Sequence, residues 1–159
     1  MQRIQNFFNS VFYRNNWTTV RLWIATDNDA GHASVQTREL ASKWPTTTVP
    51  DIQETFYSLD TNKINTEYEA LRSRNFVPEK TNPESGKGGQ LSCTALTYKI
   101  LGAGGINSLS EKCSCLEESW GSISPKNLAQ CIIDAKQQEL KKFPETAEQE
   151  ERRYLSPGK

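Results

Sequence analysis

The chain has 159 residues, enough for one domain with a hydrophobic core of its own. Nineteen Lys and Arg balance nineteen Asp and Glu, so no nucleic-acid partner and no attraction to an anionic membrane surface is implied. No run approaches the roughly eighteen apolar residues of a bilayer span, and low mean hydropathy implies substantial exposed loops and tails.

In chain order, residues 1–17 lack the continuous apolar stretch of a secretory leader. Ile4, Phe7, Phe8, Val11 and Phe12 instead fit one face of a short helix packed on the domain. Only Arg3 and Arg14 are cationic there, fewer charges than a membrane-surface anchor carries. Residues 18–25 are β-branched and aromatic and read as a strand. Residues 26–31, Thr-Asp-Asn-Asp-Ala-Gly, are turn chemistry, and a second strand follows from His32 to Thr37. A third is expected over Leu40 to Trp44, stopped by Pro45, giving an antiparallel meander.

Residues 46–90 read as a loop-rich insertion. Within it, Ile52 to Tyr57 is a short strand or a helical turn, and Asn65 to Arg74 is a helix capped by Asn65 or Thr66. The polar Gly/Pro-rich stretch 78–89 leads straight into a helix from Ser92 or Cys93 to Leu101, with Cys93, Leu96 and Ile100 on one stripe. Gly102, Gly104 and Gly105 end it. A last helix starts at Ser124-Pro125, carries Leu128, Ile132, Ile133, Ala135 and Leu140 on its apolar side, and ends near Phe143-Pro144. The main domain therefore spans 18–143, and residues 144–159 form a charged tail, frayed or only partly helical.

One constellation offers chemistry. Cys93 sits at a helix start, where the partial positive charge of the N-terminus favours thiolate. The first-turn N–H groups can serve as an oxyanion hole, with Ser92 as cap and Gln90 beside it. His32 is the sole histidine, so any imidazole base near neutral pH is this one. Strand alternation puts His32 on one face with Ser34 and Gln36, opposite Ala33 and Val35. Each residue also has a plain structural role open to it: Cys93 as a buried space-filler, His32 as a hydrogen-bonded strand residue, and Trp44 as a packing plug or as a wall of the cleft.

Gly31-His32-Ala33-Ser34-Val35-Gln36-Thr37, then Leu40-Ala41-Ser42-Lys43-Trp44-Pro45, then Ser92-Cys93-Thr94-Ala95-Leu96-Thr97-Tyr98-Lys99-Ile100-Leu101 together resemble the circularly permuted branch of the NlpC/P60 papain-like superfamily. That branch is similar in placing a Gly-His strand first, a strand ending in Trp-Pro next and the nucleophile helix last. The Ser124-Pro125 helix is similar to the one that closes such domains. The resemblance implies an α+β fold, a central antiparallel sheet with the cysteine helix packed on it. It implies a thiol-dependent hydrolase or acyltransferase in which Cys93 is the nucleophile and His32 the base. In the family a third polar residue from the neighbouring strand orients the histidine. That strand here offers Ser42, Glu39 and Lys43, none of them Asp, Asn or His, while Asp27 and Asp29 come from the preceding loop.

The expected substrate is a peptide, protein or acyl group handled through a thioester, with no cofactor, no metal, no transmembrane segment and a monomeric state. The same fold without activity, as a protein-interaction or secreted-effector module, is the alternative. The expected location is the cytoplasm, or export by a route without a Sec leader. Four cysteines, at 93, 113, 115 and 131, are accordingly expected to be reduced. Cys113 and Cys115 are too close for an easy mutual disulfide. A zinc site from Cys113, Cys115, Cys131 and His32 is a further alternative, although no C-x-x-C pair is present.

Overall fold

The computed structural model describes residues 16–24, 31–40, 49–73 and 93–149. Alternation of β-branched and polar residues makes strand β1, Thr18–Trp23. Val20 and Leu22 are fully buried on one face, while Arg21 is half-exposed on the other. Strand β2, His32–Thr37, runs antiparallel to β1, with Trp23 opposite His32, Leu22 opposite Ala33 and Val20 opposite Val35. Strand β3, Ile52–Phe56, pairs with the other edge of β1.

The sheet order is therefore β2-β1-β3, with β1 in the centre. The third described strand is 52–56, and it pairs with β1 on the side away from β2. Of the strand expected at 40–44, only Leu40 lies among the described residues, buried in a bend. One sheet face carries Val20, Leu22, Ala33, Val35 and Phe56 into the core. On the other, Thr19 and Thr55 hydroxyls meet at 2.8 Å, and the Arg21 guanidinium donates to Gln53 and Gln36, each at 2.9 Å, tying three strands together.

Helix α1 is Thr61–Ser73. It begins four residues before the expected caps. Asp60 performs that role, its Oδ1 accepting the Lys63 amide at 3.1 Å. Asn16, just before β1, braces this junction: its Nδ2 donates to the Tyr57 and Leu59 carbonyls, and its Oδ1 accepts from the Thr61 hydroxyl at 2.9 Å.

Helix α2, Cys93–Ala103, is buried on nearly every side, from Cys93 through Tyr98 and again at Ile100 and Leu101. Strand β2, helix α1 and the helices that follow all pack on it, so its apolar residues do not form one stripe. At its end Gly104 permits close approach: a Cβ there would lie 2.6 Å from the Ile64 side chain. Gly105, at φ 102°, turns the chain into α3, Ile106–Leu109. Helix α4, Glu111–Ser114, and a 3-10 segment, Glu117–Ser122, follow.

Helix α5, Pro125–Lys142, starts as its sequence requires, with the Ser124 side chain accepting from the Asn127 amide and proline in the first turn. Its buried face is Leu128, Ala129, Cys131, Ile132, Ala135, Lys136 and Glu139. Ile133 and Leu140, expected on the apolar side, are exposed at 43% and 37%. They lie seven residues apart, on a stripe rotated away from the core, and a charged pair takes the inward positions instead. The expectation of reduced thiols is also corrected. Cys113 of α4 and Cys131 of α5 form a disulfide, sulfurs 2.06 Å apart, that staples the two helices. Residues 145–149 are helical, with Thr146 and Gln149 buried, so this part of the expected tail belongs to the body. The expected N-terminal helix and the Gly/Pro-rich stretch before Cys93 lie outside the described residues.

The architecture is α+β: among the described residues, a three-stranded antiparallel sheet with helices packed on it, α2 against β2. No helix among the described residues is long and apolar enough to cross a membrane.

Candidate functional site

Among the described strands, β2 lies at one side of the sheet, with β1 on its inner side. Helix α2 packs on β2 and brings its first residue to that strand. The Ala33 N–H donates to Cys93 Sγ at 3.4 Å, and His32 Nδ1 lies 2.9 Å from the same sulfur. Alternation puts the His32 side chain on the face away from Ala33 and Val35. The imidazole still reaches the thiol, because Cys93 sits beside β2 instead of over the central strand. The two residues are 61 apart in sequence, and both are buried, Cys93 at 2% and His32 at 6% exposure.

Trp23 completes the surroundings of the imidazole. Register places it directly across from His32, and the ring centroids are 5.2 Å apart with planes tilted by 47°. Trp23 is itself largely buried. The sequence reading missed this residue. The sequence reading ran this strand on to residue 25, and only the observed end of β1 at Trp23 sets the indole opposite His32.

The structure brings Cys93 and His32 together and keeps Glu39 apart from them. Glu39 follows the far end of β2, seven residues from His32 and so roughly 20 Å along an extended chain. Its carboxylate is exposed and accepts from Asn65 Nδ2 at 3.3 Å, while Asn65 Oδ1 accepts from the Thr37 hydroxyl. That network fastens the end of β2 to α1 and leaves Glu39 no role in orienting the imidazole. Ser42, Trp44, Asp27, Asp29, Gln90 and Ser92 lie outside the described residues.

The zinc alternative is overturned. Two of its sulfurs, those of Cys113 and Cys131, are bonded to each other, and its histidine faces Cys93. Cys115 is a free, exposed thiol. Among the described residues no group of three or more His, Cys, Asp or Glu side chains is placed to hold a metal ion.

Helix α2 is also held by side-chain contacts further along its length. The Trp120 indole donates to the Ala95 carbonyl at 2.8 Å, and Lys99 Nζ lies 5.1 Å from the Trp120 ring centroid. Further along, the Tyr98 hydroxyl donates to the Cys113 carbonyl at 2.7 Å and lies 3.2 Å from Asn107 Oδ1. Burial, reinforced by the negative charge of Glu117, pushes the Tyr98 phenol up to about 12. A helix held this way presents its first residue at a fixed position.

Comparison of the chain with protein-family models, with curated proteins and with solved structures returned no match.

Proposed function

We propose that this chain is a thiol-dependent hydrolase or acyltransferase of permuted papain-like type, with Cys93 as nucleophile and His32 as general base. The observation that carries the reading is the 2.9 Å separation of Cys93 Sγ and His32 Nδ1. Three influences favour the thiolate there: the imidazole, the donated Ala33 amide and the N-terminus of α2.

In the proposed reaction His32 takes the thiol proton, and the sulfur attacks the carbonyl carbon of a peptide, protein or other acyl substrate. The carbonyl π pair moves to oxygen, where first-turn amides of α2 stabilise it, an effect of about 3 kcal/mol for one such donor. The pair returns, the leaving amine or thiol departs with the proton from His32, and a thioester remains. Water or an amine, deprotonated by His32, then attacks the thioester and releases Cys93 as the thiol.

The disulfide supports the exported alternative over the cytoplasmic one, since such bonds persist in oxidising compartments. One observation favours an inactive interaction module of the same fold: Cys93 is only 2% exposed, so a substrate carbonyl has to displace what covers it. Alkylation separates the two readings. An activated Cys93 reacts with iodoacetamide at pH 6 far faster than an ordinary thiol, and it reacts with a peptidyl vinyl sulfone. A Cys93 that resists both reagents while Cys115 is modified overturns the enzyme reading.

A further inference from the structure

Trp23 has a large aromatic surface, lies at the end of the central strand, and touches the base of the proposed pair. Strand pairing with His32, burial of both rings and a centroid distance of 5.2 Å fix its placement. We infer that Trp23 is a positioning residue for His32: its ring restricts rotation of the imidazole and its π-electrons favour the protonated form, so that a thiolate–imidazolium pair persists between Cys93 and His32. The inference rests on the proposed Cys93–His32 reading and deepens it.

The physical argument has two parts. A buried aromatic ring across a strand pair limits the imidazole to orientations in which Nδ1 keeps its place beside the sulfur. An aromatic ring within about 6 Å of a cation also attracts it through the ring quadrupole, more strongly for Trp than for Phe. A neutral imidazole gains little from that attraction and an imidazolium gains more, so the balance moves toward proton transfer from Cys93 to His32.

The charged and titratable groups that face this corner are few among the described residues. β2 packs against β1 and α2. From β1, Arg21 shares the face of Trp23, but its guanidinium is engaged by Gln53 and Gln36, further along the sheet. From α2, Cys93 faces the imidazole, while Lys99 lies two turns away over Trp120. At the end of β1, the Asp51 carboxylate accepts the Ile24 amide at 2.7 Å.

The test is the rate of Cys93 alkylation by iodoacetamide from pH 4 to 9.5, localised by mass spectrometry so that Cys115 does not contribute, in the wild type, W23F and W23L. The rate of a thiolate–imidazolium pair carries two inflections, an acid limb where the pair forms and an alkaline limb where the imidazolium loses its proton and leaves a free thiolate of different reactivity. Loss of the ring weakens the imidazolium. W23L should therefore move the acid limb up and the alkaline limb down, each by about half a pH unit or more. W23F, which keeps a ring face, should recover most of the window. Unchanged limbs in a folded W23L overturn the role of Trp23 while leaving the pair intact.

A wild-type profile with a single rise near the ordinary thiol range overturns the pair, and this inference with it. Should W23L fail to fold, the sole histidine supplies a second readout, because its Cε1–H proton resonance needs no assignment. In the wild type that resonance should be displaced upfield by the indole and should titrate at higher pH than in W23M, which keeps bulk without a ring. Equal midpoints and shifts overturn the inference.

Discussion

Lys136 with Glu139 and Cys93 with His32 are buried polar pairs that join helix to sheet, and their difference separates architecture from chemistry. Lys136 and Glu139 lie one turn apart on α5, 3.1 Å from each other, with Glu139 fully buried. Glu139 Oε1 accepts from the Tyr57 amide, the Ser58 amide and the Ser58 hydroxyl at 2.7–2.8 Å. Lys136 Nζ donates to the Thr55 carbonyl at 2.6 Å and lies between 5 and 6 Å from the Phe56 and Tyr57 ring centroids. The two ions thereby clamp α5 to the end of β3, with donors and acceptors closely matched. Cys93 and His32 are buried as deeply, but their contact joins a weak acid to a weak base. Saturated charges hold a shape; a proton shared between sulfur and imidazole can be passed on.

The comparison breaks most sharply under substitution of the reacting pair. C93A should reduce turnover and Cys93-directed labelling to background, with thermal midpoint and circular dichroism close to wild type. H32N should lower the rate by roughly 10²- to 10⁴-fold and leave the fold standing. Retained activity in C93A would refute the mechanism.

Next comes the clamp, where the expected effect is on stability and not on rate. E139A should cost about 3–5 kcal/mol in urea unfolding, because it leaves the Lys136 ammonium buried without its counter-ion. K136M combined with E139L tests whether the charges or the hydrogen bonds matter. A buried ion pair can often be replaced by apolar side chains at no cost. Here the Tyr57 and Ser58 amides would lose their acceptor, so the double variant should remain destabilised by at least about 2 kcal/mol.

Tyr98 gives a pH-dependent prediction. The unfolded chain loses the phenolic proton near pH 10, whereas the folded chain keeps it to about 12. Between those values the native state binds more protons, so stability should fall as pH rises, by about 2–3 kcal/mol over the window. Y98F should remove this alkaline loss; an unchanged slope would place its origin elsewhere. The smallest effect concerns a cap. S124A should destabilise by about 1 kcal/mol, measured by chemical denaturation, because it removes the acceptor for the Asn127 amide.

Much of the site could be read from residue order. A thiol at a helix start and the only imidazole on a strand are local facts, and the start of α5 follows from Ser124 and Pro125 alone. The reading faltered where neighbours decide. Residues 52–56 are short enough to be strand or turn, and only the open edge of β1 made them strand β3. Ile133 and Leu140 are apolar, but the inward positions beside them are held by Lys136 and Glu139, whose partners come from residues 55–58. Cys113 and Cys131 are unremarkable in sequence; the packing of α4 on α5 makes them partners.

Local residue order suffices for the strand of His32, the helix beginning at Cys93 and the capped start of α5, because periodicity, turn residues and caps act over a few residues. Tertiary structure decided the strand order, the disulfide, the burial of a charged pair, and the meeting of Cys93, His32 and Trp23. Those contacts join residues far apart along the chain, and their free energy comes from packing that local sequence does not encode.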